Sequence, residues 1–468
     1  MEVMSKYEPV SAEVVAALQT ALGAEYVKTD AETLEKYKTD EETDPRYHHL
    51  PEVVVWPGST EEVAAVMKIA NRYNVPVTPR SAGTSVSCGA IPVYGGIVLL
   101  LERMDKIEEL NTEGMYMVVE AGARTVEIQE KANAAGFLYA GDPCSADSCL
   151  IGGNIATNAG GNKAVRYGTT RDQVYAIEAV TPTGDIVNVG ARLKKKSTGY
   201  CLEQLIMGSE GTLGIITKAT LKLLPLCPYK LDLLAIFTDL DKAVGLVPNL
   251  IKAGLNPTSV EFMDNAFVRS SSDYCELKLP HYEDGSYVIV TVETFNEDEL
   301  ESKMEQLDEI CSASGATDVL EADDRVWKLR RNCLESTRVL SLVSTSDDLV
   351  VPVDQIANCI RHLTKVAENY RFKLFTLAHA GDGNLHFQIL KGEMSDEQWE
   401  DEVSRFHAEA YPYVYSLGGR LSGEHGIGAK KVEAMEKYTE PVEMKMMKEI
   451  KRALDPKNIL NPGKVFNA

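Results

Sequence analysis

Between Pro51 and Ser85 the chain reads "PEVVVWPGSTEEVAAVMKIANRYNVPVTPRSAGTS". A short run of valines predicts a strand. A stretch with apolar residues every three or four positions predicts a helix, and a second strand then leads into a glycine loop. Ser59 stands three residues before Glu62, the spacing of a capping box at that helix start. The runs "GIVLLL", "MYMVVEAG", "AIEAVTPTGDIVNV" and "GTLGIITKATLKLLP" predict strands, with "TVEIQEKANAAG" as a helix among them.

The texture changes near Cys227. "LDLLAIFTD", "PTSVEFMD", "GSYVIVTVETF", "DDLVVPV" and "RFKLFTLAHA" predict strands. They alternate with the helices "LDKAVGLVPNLIKAG", "NEDELESKMEQLDEICSASG", "ADDRVWKLRRNCLESTRVL" and "DQIANCIRHLTKVAENY". Such alternation points to a layered α/β or α+β domain. The pattern separates a charged helical segment, 1–50, from bodies at 51–226 and 227–417. A glycine-rich and then helical segment, 418–468, follows.

The 468 residues suffice for two or three domains, and 44% apolar with 25% charged residues is ordinary for a globular protein. A net charge of -22 disfavours nucleic acid and anionic membranes as partners. No run approaches a membrane span and "MEVMSKYEPV" has no signal-peptide pattern, so a cytoplasmic protein is expected. The 9 cysteines form no CxxC, which predicts reduced thiols and no iron–sulfur cluster.

Two glycine-rich stretches stand out, residues 79–92 and 141–174. Neither is a GxGxxG, so a nicotinamide dinucleotide is not expected as a tightly bound cofactor. Their bare backbone can approach a ligand and its amides can cradle phosphate, or they are ordinary loops. Three of the 8 histidines fall in "HAGDGNLH" (379–386) and "SGEHGIG" (422–428). A hairpin centred on Gly-Asp-Gly-Asn would oppose His379 and His386 with Cβ atoms about 5 Å apart, close enough to share one cation. The pair could equally be structural. A nearby carboxylate would make a His–His–Glu set with open positions, the composition of a catalytic divalent site.

Taken together, "PRSAGTS", "IGGNIATNAGGNKAVRYG", "GSEGTLGIIT", "HAGDGNLH", "SGEHGIG" and "LNPGKVF" resemble, in order, the FAD-linked oxidoreductases of the vanillyl-alcohol-oxidase superfamily. The resemblance spans about Pro51 to Val465. It is narrowest to the D-2-hydroxyacid dehydrogenase branch: D-lactate and D-2-hydroxyglutarate dehydrogenases and the glycolate oxidase flavin subunit. It implies an α+β fold, with a two-part FAD-binding domain and an α+β substrate (cap) domain built on an antiparallel sheet. Residues 418–468 would return to the flavin.

The resemblance also implies roles. Arg80, Ser81, Ala82, Gly83, Thr84 and Ser85 would wrap the FAD pyrophosphate. Pro143, Gly152, Gly153, Ala156, Thr157, Asn158, Gly160 and Gly161 would line the flavin and ribityl chain. Glu210, Gly211, Gly214 and Ile215 would hold the adenosine half, and Asn461 would reach the flavin. Ser81 and Ala82 depart from the common "PRGGGTS". Thr84 stands where many relatives attach flavin through histidine, so non-covalent FAD is expected. His379, His386 and Glu424 would ligate a divalent metal (zinc, iron(II), manganese or cobalt), and His425 would be the base. Arg330 would hold the substrate carboxylate; a solvated helix-face charge is the other reading. A lysine found in some 2-hydroxyglutarate-type relatives before the "VP" strand has no counterpart in "STSDDLVVP", which favours a small monocarboxylate such as lactate. The implied activity is D-2-hydroxyacid oxidation, D-lactate foremost; relatives pass electrons to quinone, to iron–sulfur subunits or to electron-transferring flavoproteins, and without a basic or apolar membrane-binding segment the flavoprotein is the acceptor expected here. Glycolate, D-2-hydroxyglutarate, or an idle flavin electron-transfer subunit are the alternatives.

Overall fold

A computed structural model describes residues 7–42 and 44–468. It divides into two units, one of Met1–Gly160, Gly168–Leu226 and Glu424–Ala468, the other of Gly161–Tyr167 and Cys227–Gly423.

In the first unit, β2 (Val53–Val55), β4 (Ile97–Leu100) and β3 (Val77–Arg80) lie parallel in that order, with β1 (Val27–Lys28) antiparallel on β2. Val53, Val54 and Val55 are all buried, which is why β2 is a continuous apolar run rather than an alternation. The helix Thr60–Tyr73 buries Val63, Val66, Met67 and Ala70 against this sheet's core. Ser59 Oγ accepts the Glu62 amide at 3.3 Å, while the Glu62 carboxylate accepts the Gly58 amide at 2.7 Å, one residue before the position a capping box would use. Residues before Pro51 supply β1 as well as the helices Ala12–Leu22 and Ala31–Lys36, and Val14, Leu18 and Leu22 enter the same core.

A second sheet in this unit is antiparallel. Its order is β5 (Ile107–Asn111), β6 (Tyr116–Glu120), β10 (Ile215–Lys222), β8 (Val174–Val180), β9 (Ile186–Gly190). A short ladder joins β7 (Phe137–Leu138) to β11 (Leu224–Pro225). The segment after Asp455 returns to β3. Ile459 O accepts the Val77 amide and the Asn461 amide donates to Val77 O, both at 2.7 Å.

The other unit is built on one seven-stranded antiparallel sheet. The strands are β12 (Tyr229–Phe237), β13 (Ser259–Met263), β14 (Ser286–Thr294), β15 (Asp318–Glu321), β16 (Ser344–Val350), β17 (Lys373–His379) and β18 (Asn384–Leu390). Their order is β15-β12-β14-β13-β17-β18-β16. Phe267 and Phe375 meet edge to face at 5.3 Å within its core, among Tyr287, Ile289 and Leu377. Residues 161–167 join this unit through Arg166, which donates to Thr258 Oγ1 and to Glu293 O.

Two expectations change. The predicted single helix around 323–340 is two, Asp324–Arg331 and Cys333–Leu340. Asn332 interrupts it by donating its side-chain amide to Lys328 O at 2.8 Å, taking up a carbonyl near the helix end. The stretch at 151–157, read as loop for its glycines, is a helix ended by Asn158 in the left-handed conformation. Packing of Ile151 and Ile155 into the second sheet's core outweighs the poor helix propensity of two glycines.

Candidate active site

In the second unit β17 and β18 form the hairpin that carries the first histidine motif. Its register sets His379 against Asn384 and His386 against Leu377. The histidines are therefore diagonal neighbours on one face, not directly opposed as the sequence suggested, because the connecting turn is Ala380–Gly383. Their rings still meet at 5.3 Å between centroids, at 90° to each other, and ring nitrogens of the two come within 4.8 Å. Gly383 adopts φ +88, and a Cβ there would stand 2.1 Å from Val351 O, so the turn needs glycine.

A carboxylate that the sequence did not single out lies beside His379 on this face. Glu261, in the middle of β13, pairs across the sheet with His379 and is wholly buried. Its Oε1 lies 2.8 Å from His379 Nδ1, and its Oε2 accepts Arg330 Nε at 3.0 Å and Nη2 at 2.6 Å. Burial opposes ionisation of Glu261, but His379 and Arg330 beside it hold its carboxyl below the usual range. Arg330 is buried, not a solvated helix-face charge. The signal for Glu261 was in "PTSVEFMD": a carboxylate amid strand formers, where only a charged partner could keep it.

Asp348, in β16, is paired in register with His386 and has a carboxylate oxygen within 4.8 Å of that ring. It accepts Asn384 Nδ2 at 2.6 Å, Ser422 Oγ at 2.6 Å and the Gly423 amide at 3.1 Å. The start of the second histidine motif is thus tied to the strand beside His386.

From Glu424 on, the same motif belongs to the first unit. Glu424 Oε1 lies 3.7 Å from His425 Nε2, so the two side chains lie near each other. Ser87 Oγ donates to His425 O at 2.9 Å. The amides of Ile427 and Gly428 both donate to the Glu210 carboxylate at 2.7 Å. Burial pushes the Glu210 carboxyl up, and those two amides counter it. Asn461 Nδ2 donates to Glu210 O at 2.7 Å. The segments "GSEGTLGI", "SGEHGIG" and "LNPGKVF" therefore interlock at Glu210, whose carboxylate fixes the loop following His425.

The remaining expected cofactor residues of this unit divide by position. Arg80 closes β3 with Nη1 on Thr39 O at 2.6 Å, and residues 81–85 form the loop after it. Gly152, Gly153, Ala156 and Thr157 share the helix Ile151–Thr157. A Cβ on Gly153 would come to 3.1 Å from the Ser81 Cβ, so the glycine lets the helix pack closely against the Ser81 side chain, beside a loop whose Gly83 leaves its own backbone bare. That suits a cofactor whose phosphates need amide donors. Pro143 is buried, Gly211 packs near Pro79, and Gly214 leads into Ile215, whose side chain is in the core. Gly160 belongs to this unit, and Gly161 to the other.

Residues 51–190 match the FAD binding domain family, and residues 230–465 match FAD linked oxidases, C-terminal domain. The chain is 37% identical over 425 residues to D-lactate dehydrogenase of Anaerostipes hadrus, covering 89% of each. It is 35% identical over 427 residues to glycolate oxidase subunit GlcD of Bacillus subtilis, covering 90% of each. Its fold matches that of p-cresol methylhydroxylase with substrate bound, with a TM-score of 0.81 at 18% identity over 97% of this chain and 96% of that one. Motifs, fold and relatives agree: the chain belongs to the FAD-linked oxidases of the vanillyl-alcohol-oxidase superfamily, as an FAD-dependent oxidoreductase of the branch that holds D-lactate dehydrogenase and glycolate oxidase GlcD.

Proposed function

We propose that the protein oxidises a D-2-hydroxyacid, D-lactate foremost, to the 2-oxoacid. When bound, FAD supplies the hydride acceptor and a divalent cation the Lewis acidity that makes the substrate hydroxyl easier to deprotonate. His379, His386 and Glu424 hold the cation. His425 takes the hydroxyl proton on a ring nitrogen, a task suited to a neutral imidazole. Arg330 supplies the positive charge for the substrate carboxylate while two of its nitrogens are engaged by Glu261. The loop 80–85, the helix 151–157 with Asn158, the neighbouring glycines and Asn461 hold FAD without a covalent bond.

One observation carries this reading: two imidazoles share a face of one hairpin with ring nitrogens within 4.8 Å. Glu424 follows directly on Gly423, whose amide is held by the register partner of His386, which supports its place in the set. An idle electron-transfer subunit would have no use for such a pair. The D-lactate dehydrogenase relative favours lactate, and the GlcD relative makes glycolate the second candidate. Anaerobic mixing with D-lactate, L-lactate, glycolate and D-2-hydroxyglutarate tests this. D-lactate is expected to bleach the flavin fastest; no bleaching by any of the four would overturn the reading.

Electrons are proposed to leave to an electron-transferring flavoprotein in the cytoplasm, since the chain has neither a CxxC nor a dinucleotide fingerprint. Among the described residues no helix is long and apolar enough to cross a membrane. Turnover that needs the flavoprotein is the expected result; rapid direct reduction of a quinone analogue, without response to the flavoprotein, would redirect the assignment.

A further inference from the structure

We infer that Glu261 is the positioning residue of the site: it fixes His379 with Nδ1 as hydrogen donor and Nε2 as lone-pair donor, and it holds the Arg330 guanidinium beside it. This rests on the proposed metal role of His379. A wholly buried carboxylate is expensive unless charges and hydrogen bonds surround it, and an ion pair of this kind adds little net stability. Mid-strand in β13, an apolar residue would serve the sheet as well. The carboxylate is instead divided by function. One oxygen meets His379 Nδ1 at 2.8 Å, and the other meets Arg330 at 3.0 and 2.6 Å.

An ionised carboxylate only accepts hydrogen bonds. Nδ1 must therefore carry the hydrogen, and in neutral imidazole the lone pair then falls on Nε2. A carboxylate behind a ligating histidine fixes both tautomer and ring orientation, and loss of such a partner typically lowers metal affinity about 10–100-fold. The register supports the pairing, because Glu261 and His379 are direct cross-strand partners and need no flexible loop to meet. The same carboxylate orients the cation proposed for substrate, so metal affinity and substrate affinity share one support.

The test uses FAD-loaded full-length protein, freed of metal by chelation, as wild type, His386→Ala, Glu261→Gln and the charge-neutral pair Glu261→Gln with Arg330→Met. Zinc affinity is measured by competition with a chromophoric chelator. Tautomers are read from long-range proton–nitrogen spectra of labelled histidine, tractable with 8 histidines and assigned with His379→Ala. Expected are a 10–100-fold weaker zinc affinity in both Glu261 variants, unchanged FAD content, and loss of the pure Nδ1–H signature of His379. Wild-type affinity in a folded Glu261 variant would overturn the inference, as would an Nε2–H signature for His379 in the metal-free wild type. If the variants fail to fold, the wild-type spectrum decides alone. Equal zinc binding by wild type and His386→Ala would instead defeat the metal reading itself, leaving the tautomer measurement to judge Glu261.

Discussion

Removing the imidazole of His379 or His386, or the carboxylate of Glu424, takes away one of the three proposed protein ligands and leaves a loosely held, hydrated cation. Alanine at any of the three is expected to lower metal content and turnover together, measured by elemental analysis beside steady-state rates. His425→Ala is expected to keep both metal and FAD while substrate reduces its flavin roughly 10²–10⁴-fold more slowly, the usual cost of losing a general base. Dithionite should reduce that variant normally, because only proton removal from substrate is impaired. Full metal retention in His379→Ala, or parental flavin reduction in His425→Ala, would show these roles to be misassigned. The histidine motif alone does not show how His379 is held, because the carboxylate that meets its Nδ1 stands on another strand.

The hairpin that carries the pair depends on its turn. Gly383→Ala would place a Cβ 2.1 Å from Val351 O at φ +88, so the turn must shift. Lower metal affinity and a Tm lower by several degrees are expected, checked by calorimetry with and without zinc. Asp264, just past β13, gives a pH-dependent test of the same sheet. Burial pushes its carboxyl from 3.8 up to about 7, against the hydrogen bonds it accepts from the Phe267 and Thr376 amides. A carboxyl with a raised folded pKa costs the fold nothing below its unfolded pKa, and the cost grows with pH until the folded carboxyl itself ionises. The Tm advantage of Asp264→Asn over wild type should therefore grow from about pH 4 to pH 7 and level off above. A constant difference across that range would rule the effect out. Most strands and helices here were legible as periodicity, and the histidine motifs as composition. The diagonal register of His379 and His386 was not, because it depends on a turn length that no alternation encodes. Nor was the break at Asn332, which follows from one side-chain hydrogen bond, or the helix at 151–157, which tertiary packing imposes on a glycine-rich segment.

For the whole molecule, Thr84 offers no imidazole for a flavin bond, so acid or heat is expected to release intact FAD; flavin left on the denatured chain would contradict this. The return of residues 459–464 to β3 bears on how the protein is made. Asn461 Nδ2 donates to Gly89 O across 372 residues of sequence, and Lys464 donates to Ile91 O across 373. At synthesis rates of roughly 5–20 residues per second, that interval lasts on the order of 20–70 s. A nascent chain therefore exposes the β3 side of its first unit while the whole seven-stranded sheet emerges and has time to fold. The molecule would be born with its second half finished first, its opening sheet waiting for the C-terminal segment to close it.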